Sequence, residues 1–543
     1  SCYHSDHFRI IIISIITTME AWEIALIVLG ALVVLSYVLS FAFKMWAKSA
    51  YAHMLQNPAT SCDIDAFVNT DRNPVNYGKV VMAHKLRLGG RVPSTDPIPL
   101  ETHESSHVPG LLVTRKTGTS SGPSYKNVTS IEEILSKSSK KTPVVVATIR
   151  MGFGHHRIAY STCSWALKLG HPTIFHDLLN IDSPESGLIK STDDLYSKFS
   201  RYASEMGGVV EKLWGSMMLS GDADALRVAN LTAAHLQPLL TAYPKDVCLI
   251  TTHQLCALVA AAAGFTNVCN LVVDNFPQWF LTVPRTLNLV QGPVNYQVFM
   301  QMGVKQEELG WAGHWCPAEL VSNIPTDCGR RIERRKKGKP LRLLIPVGGA
   351  GAQRTFIVKF VAALAPLVQE GKVQLFLNAG DHAHMKTAFL EALDKSSLEF
   401  DTVNSTEGVM AFQGRLLEAK NEPTKNVTLF SFDEYFPAVA TTDILSRVSD
   451  VLCCKPSELA FYCLPKLHIR RVGDHEADSA KRASECGDGT LEAREVPDAM
   501  EYIDLFLNQQ DFLINMNEAI VRNNDIGIYD GCKKAVEMCV ARK

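Results

Sequence analysis

The residues best suited to chemistry form the stretch Gly152-Phe153-Gly154-His155-His156-Arg157. A glycine turn ending in two histidines puts an imidazole at the start of a helical pattern that runs through Leu167. Near neutral pH a histidine can take a proton from a hydroxyl. The positive end of a helix dipole keeps it in the neutral, basic form. His155 is therefore the candidate general base, with Gly154, His156 and Arg157 beside it. His253 and Asp274 each end an apolar run and are expected to face the same cleft. A second glycine turn, Gly348-Gly349-Ala350-Gly351-Ala352-Gln353, suits a phosphate on free backbone N–H groups. It lacks both the dinucleotide pattern GxGxxG and the Lys-Ser/Thr of a P-loop. Glu458, at a helix start, is either an ordinary dipole-complementing carboxylate or an acceptor for two ribose hydroxyls. Asp474-His475-Glu476 is either a solvated loop or a set of hydrogen-bond partners for a sugar.

The elements that would position these residues alternate between strand and helix. Val144-Val145-Val146 reads as a buried strand, and strands are expected again at 246–253, 268–273 and 287–290. A second series begins at Leu341, with strands at 341–347, 373–379, 427–432, 451–454 and 464–469. This rhythm implies two doubly wound parallel sheets with ligands at the carboxyl ends of their strands. Fifteen residues from Thr326 to Pro340, basic and without apolar periodicity, read as an interdomain linker. Residues 89–124 are rich in Pro, Gly, Ser and Thr and read as linker or loose insertion.

A length of 543 residues fits two domains with appendages. Net charge is −2, which supplies no basic field for nucleic acid. The 14 cysteines include no CxxC pair and read as reduced, buried thiols. Ile24 to Phe43 is uncharged and long enough to span a bilayer. Glu20 and Glu23 precede it, Lys44 and Lys48 follow, and Trp22 and Trp46 flank it. The lysines place the domains on the cytosolic side. Residues 1–18 precede the first methionine, Met19, and are expected to be read-through or a fusion scar. The expected order is a tail (1–23), a membrane helix (24–43), a juxtamembrane region and linker (44–142), an acceptor domain (143–325), a basic linker (326–340), a nucleotide-sugar domain (341–497) and closing helices (498–543).

The order of these features resembles the GT-B glycosyltransferases. It is most similar to monogalactosyldiacylglycerol synthases and to the peptidoglycan N-acetylglucosaminyltransferase that uses a lipid-linked acceptor. Gly152-Phe153-Gly154-His155 resembles that family's Gly-x-Gly-His loop, whose histidine is the proposed base. The passages from Val273-Asp274-Asn275-Phe276 to Gly313-His314-Trp315-Cys316-Pro317, Gly348–Gly351, and Ser449 to Pro456 with Glu458 and Leu464-Pro465 resemble its later blocks. The glycine-glycine-threonine stretch usual after Lys455-Pro456 is missing, and the 473–478 loop lacks the usual paired glutamines. The resemblance implies two Rossmann-like domains facing across a cleft and a donor set of Gly348, Gly349, Gly351, Gln353, Phe432, Lys455, Glu458, Asp474, His475 and Glu476. It implies transfer of a sugar from a nucleotide-sugar, expected to be UDP-linked, to an acceptor hydroxyl, with a lipid suggested by the anchor. No metal or other cofactor is required by this layout. The alternatives are a nucleotide-sugar epimerase or phosphorylase on the same fold, and a non-catalytic scaffold.

Overall fold

The computed structural model describes residues 20–56, 64–68, 77–89, 91–94, 96–118, 128–137, 141–191, 222–347, 353–418, 421–471 and 473–542. The tail before Met19 lies outside them, as do Gly348, Gly349 and Gly351.

The first sheet contains β1 (Leu100–Glu104), β2 (Leu111–Lys116), β3 (Thr129–Ser130), β4 (Val144–Thr148), β5 (Thr173–Asp177), β6 (Cys248–Thr251), β7 (Val268–Leu271), β8 (Leu287–Val290) and β9 (Leu309–Trp311). Its order is β3-β1-β2-β5-β4-β6-β7-β8-β9. From β2 to β9 every pairing is parallel. β4 lies at the centre because both its faces are apolar. Val144 and Val146 join one core with Phe175 and Ile250, while Val145 and Ala147 join another with Ile174 and Leu249. That two-sided burial is what a run of β-branched residues specifies in a parallel sheet.

The second sheet contains β10 (Leu341–Pro346), β11 (Val373–Gly380), β12 (Asp401–Val403), β13 (Val427–Ser431), β14 (Val451–Cys454) and β15 (Lys466–His468). It is all parallel, in the order β12-β13-β11-β10-β14-β15. Leu344, Phe376, Phe430 and Leu452 on its inner face share one apolar cluster with Val144, Val146 and Phe175 of the first sheet. The two domains are thus joined by a continuous core. The chain then returns to the first domain. Three helices, Val496–Asn508, Gln510–Asp525 and Gly531–Ala541, end with Val536 and Cys539 buried in that shared core.

Two expectations are corrected. Residues 89–124 are not simply linker: β1 and β2 pair antiparallel, and β2 joins β5 in parallel through Leu111, Leu112 and Val113. Gly110, at φ 76°, makes the turn before β2, and the apolar run that follows outweighs the surrounding prolines and serines. The first sheet therefore extends N-terminal to residue 143. The basic run 326–340 is not a linker without structure, because Ile324–Lys336 is a helix. Arg331 donates to the carbonyls of Ser446 and Ser449, each at 2.8 Å, and Arg335 to that of Phe506 at 3.0 Å. Those carbonyls lie at the ends of the helices Tyr435–Ser446 and Val496–Asn508, where unpaired C=O groups attract cations. Arg331 and Arg335 serve helix C-termini, while Lys336 and Lys337 of the same run face solvent.

At the N-terminus, Ala21–Leu55 is one helix, opened by a capping box between Glu20 and Glu23. It is long and apolar enough to cross a membrane, and the residues of its apolar stretch are exposed.

Candidate functional site

Each sheet reverses strand order at one point, which is where α/β folds open a crevice at strand carboxyl ends. In the first sheet this is between β4 and β6, neighbours that lead to β5 on one side and β7 on the other. The loop after β4 enters the helix Phe153–Lys168, and Gly152 takes φ 75° at its N-cap. β6 ends in Thr251, followed by Thr252 and His253. In the second sheet the reversal is between β10 and β14. There Lys455 follows β14, and Pro456–Phe461 forms a 3-10 helix in place of the expected α-helix.

The first crevice fixes a histidine tautomer. Nδ1 of His155 lies 2.6 Å from the carbonyl of Thr252. A carbonyl only accepts, so Nδ1 carries the proton and Nε2 keeps the lone pair. His253 is the opposite tautomer. Its Nδ1 accepts from the N–H of Leu255 at 3.1 Å, capping the helix Gln254–Ala262, so its proton sits on Nε2. The two rings are 4.4 Å apart. Burial pushes the pKa of His155 below its ordinary value, against the Thr252 bond and the charge of Asp274. Burial and the neighbouring His155 push His253 well down. Both are neutral bases at pH 7.

The second crevice holds a fixed cation. Nζ of Lys455 lies 3.0 Å from Oε1 of the buried Glu476, which also accepts from the hydroxyl of Ser457 at 2.9 Å. Burial opposes charge on Lys455, but Glu476 and Glu458 outweigh it and hold its pKa above the ordinary value. The side chain remains 27% exposed, enough to meet a ligand. Lys455, Asp274 and His155 act on one another electrostatically. The structure thus brings together a neutral base, a carboxylate and a cation drawn from the ends of three strands in two domains.

Other expected site residues go elsewhere. Nε2 of His156 is 3.0 Å from Asp177 in a buried pair within the first domain. Arg157 crosses to the second domain. It donates to the carbonyl of Val439 at 2.9 Å and lies over the ring of Tyr462. It also faces Asp443 at 3.8 Å and Glu458 at 4.0 Å. Burial raises both carboxyl pKa values against the pull of Arg157, that of Asp443 to about 6. Asp474 is exposed and bound by Arg471 at 2.7 Å, away from Glu476. The ring of His475 lies against Gly473. Gly154 packs against Phe461. Gln353 caps the helix Arg354–Gln369 at φ 80° and donates to the carbonyl of Arg470. Phe432 is buried in the shared core.

Sequence reasoning missed Ser457, Asp443 and the Thr252 carbonyl. Ser457 had a signal in its position two residues after Lys455 at a strand end. Asp443 and Thr252 had none, since they meet their partners only through the fold. The carboxylate pair Asp222-Ala223-Asp224 has a spacing that suggests a metal, but Asp222 accepts from the N–H groups of Trp279 and Phe280 at 2.9 and 2.8 Å.

Two family models match the chain, both described as domains of unknown function: DUF6937 over residues 112–301 and DUF6938 over 304–540. No curated protein matches. Solved structures similar to the chain include the UDP co-structure of MnaA from S. aureus, at 11% identity, covering 73% of this chain and 95% of that one with a TM-score of 0.40. Another is the UDP-GlcNAc 2-epimerase from Neisseria meningitidis bound to UDP-GlcNAc, at 9% identity, covering 74% and 99% with a TM-score of 0.42. A third is the spinosyn rhamnosyltransferase SpnG, at 12% identity, covering 74% and 100% with a TM-score of 0.36. The chain itself has two Rossmann-like domains across a crevice, with closing helices that return to the first domain.

Proposed function

We propose that this protein is a membrane-tethered glycosyltransferase that moves a sugar from a UDP-linked donor to an acceptor hydroxyl, with a membrane lipid as acceptor. The observation that carries the proposal is the tautomer of His155. Its Nδ1–H is committed to Thr252, its Nε2 is left basic, and burial keeps it neutral. Nε2 takes the proton of the acceptor hydroxyl as that oxygen attacks the sugar, and the nucleoside diphosphate leaves toward Lys455. Such a base contributes about 10²–10⁴ in rate. Lys455 supplies at the leaving diphosphate the positive charge that a metal ion would otherwise supply, so chelation by EDTA is expected to leave turnover unchanged. The resemblance around Gly152–His155 supports the same assignment. The exposed apolar helix 21–55 supports the tether, and Lys44 and Lys48 after it support a cytosolic placement.

One observation favours a non-catalytic scaffold instead. Glu458, expected at the ribose, is buried against Arg157. The test is to titrate the full chain with UDP by calorimetry, then incubate it with a panel of UDP-sugars and lipid extract and identify products by mass. UDP binding with a glycosylated product supports transfer. Free sugar or an isomerised donor without acceptor indicates the epimerase or phosphorylase alternative. No UDP binding overturns the proposal in favour of the scaffold.

A further inference from the structure

The described residues 77–94 include a helix, Tyr77–Leu88, that the proposed reaction does not use. One face of it is buried. Val80 and Val81 pack with Tyr51 of the long N-terminal helix and with Val228 and Leu231 of the helix Asp222–Leu236. On its opposite face Met82, at 48%, and Leu86, at 81%, stand one turn apart with the exposed Lys79 beside them, and Val92 beyond the helix is 86% exposed. An isolated exposed leucine is ordinary, but here Met82 and Leu86 stand one turn apart, among basic residues, on a helix fixed against a candidate membrane span.

The contacts set the depth of this helix. Gly78 lies against the ring of Phe43, where a Cβ would collide. Nζ of Lys85 sits 5.3 Å from the ring of Trp46, and the rings of Tyr77 and Tyr51 are 5.2 Å apart. Phe43 ends the uncharged run 24–43, so the helix crosses the span just past its end, at the level of Trp46. Tryptophan and lysine at that level mark the headgroup layer of a bilayer. The described residues of 44–56 and 77–94 contain Lys44, Lys48, Lys79, Lys85, Arg87 and Arg91, all exposed, and no acidic residue.

We propose that Tyr77–Leu88 is an interfacial helix, with Met82 and Leu86 inserted among acyl chains and its cations on anionic phospholipid headgroups. The negative potential of such a surface attracts basic residues that lie within a Debye length of it. This inference rests on the membrane-tethered reading above and deepens it. The helix packs on Asp222–Leu236, whose Asp222 holds the backbone of Trp279 and Phe280, five and six residues beyond Asp274. Seating it in the interface ties the acceptor side of the crevice to the bilayer surface.

The test uses the full chain in nanodiscs, spin-labelled at one introduced cysteine. Cys2 and Cys62 are replaced by serine, because the other twelve cysteines are buried. Labels at Leu35→Cys, Leu86→Cys and Leu491→Cys report the span, the helix and an exposed site on the second domain. The measurement is the ratio of oxygen to nickel-complex accessibility. The expected result is a ratio several-fold higher at Leu86 than at Leu491, rising further when zwitterionic lipid is replaced in part by phosphatidylglycerol. The added Lys85→Gln and Arg87→Gln pair should cancel that rise. A lipid-like ratio at Leu35 with a water-like ratio at Leu86 overturns the inference and leaves the tether standing. A water-like ratio at Leu35 overturns both. A ratio at Leu86 that ignores headgroup charge overturns the anionic preference.

Discussion

At the scale of single residues, the site depends on which nitrogen of His155 is free. Asparagine can place its side-chain N–H near the position of Nδ1 and keep the bond to Thr252, but it offers no base where Nε2 stood. His155→Asn is therefore expected to lower turnover about 10²–10⁴-fold with UDP affinity nearly unchanged, checked by steady-state kinetics beside calorimetry. The base is active only when neutral, and burial lowers its pKa. The acid limb of the pH–rate profile should accordingly lie below the ordinary histidine value of about 6.5. Lys455 separates binding from folding. Removing it as Lys455→Met strands the carboxylate of Glu476, which is 3% exposed, at a cost of about 1–3 kcal/mol. Adding Glu476→Gln should recover that stability in urea titration but not the lost UDP affinity, because the double variant still lacks the cation proposed to meet the diphosphate.

At the scale of elements, the alternation of strand and helix was legible because the predicted strands are almost wholly buried and most are dominated by apolar residues, with only isolated polar positions such as Asn270, Arg342 and Gln374 inside them. Val144–Thr148 and Leu341–Pro346 needed no partner to be recognised. The helix Ile324–Lys336 was not legible. The groups that hold Arg331 and Arg335 are carbonyls more than 100 residues away, at Ser446, Ser449 and Phe506, so the run reads in sequence as an interdomain linker. The candidate site divided in the same way. His155, His253, Asp274 and Lys455 stand at strand ends and were found. Arg157 is two residues from His155 in sequence but belongs to the seam between domains. Arg157→Met would remove the buried cation that faces the half-buried Asp443 and the buried Glu458, at a cost of about 3 kcal/mol. Burial raises the pKa of Asp443 from its ordinary carboxylate value to about 6. Its contribution to stability is present below the lower value and is lost as pH rises through the upper one. The variant should therefore be markedly weaker at pH 7.5 than at pH 5, where Asp443 is protonated. Urea unfolding at the two pH values checks this, and an equal loss at both would mean that the seam does not depend on these charges.

At the scale of the whole molecule, the crevice is positioned by chain ends that cross from one domain to the other. The N–H of His314 donates to the carbonyl of Ile528 at 2.7 Å, and Gly531 donates back to the carbonyl of His314 at 3.0 Å. Asn267 donates to the carbonyl of Cys539 at 3.0 Å. The last helix thereby closes over β6 and the helix Phe153–Lys168 that carries His155, so the placement of the base depends on a segment nearly 400 residues away in sequence. Gly313 makes this closure possible. Its φ of 112° is one that side-chain-bearing residues rarely adopt, and a Cβ there would run into the carbonyl of Ile528, a backbone atom that cannot swing aside. Gly313→Ala combines backbone strain with a broken seam, and a loss on the order of 3 kcal/mol is expected for the docking of the tail. Because two domains need not unfold as one, the readout is local. Hydrogen exchange across Gly531–Ala541 should quicken about a hundredfold, while amides of β11 and β13 in the second sheet keep their protection. If those strands lose protection equally, the closing helices do not act as a separable clasp, and the domains depend on each other throughout.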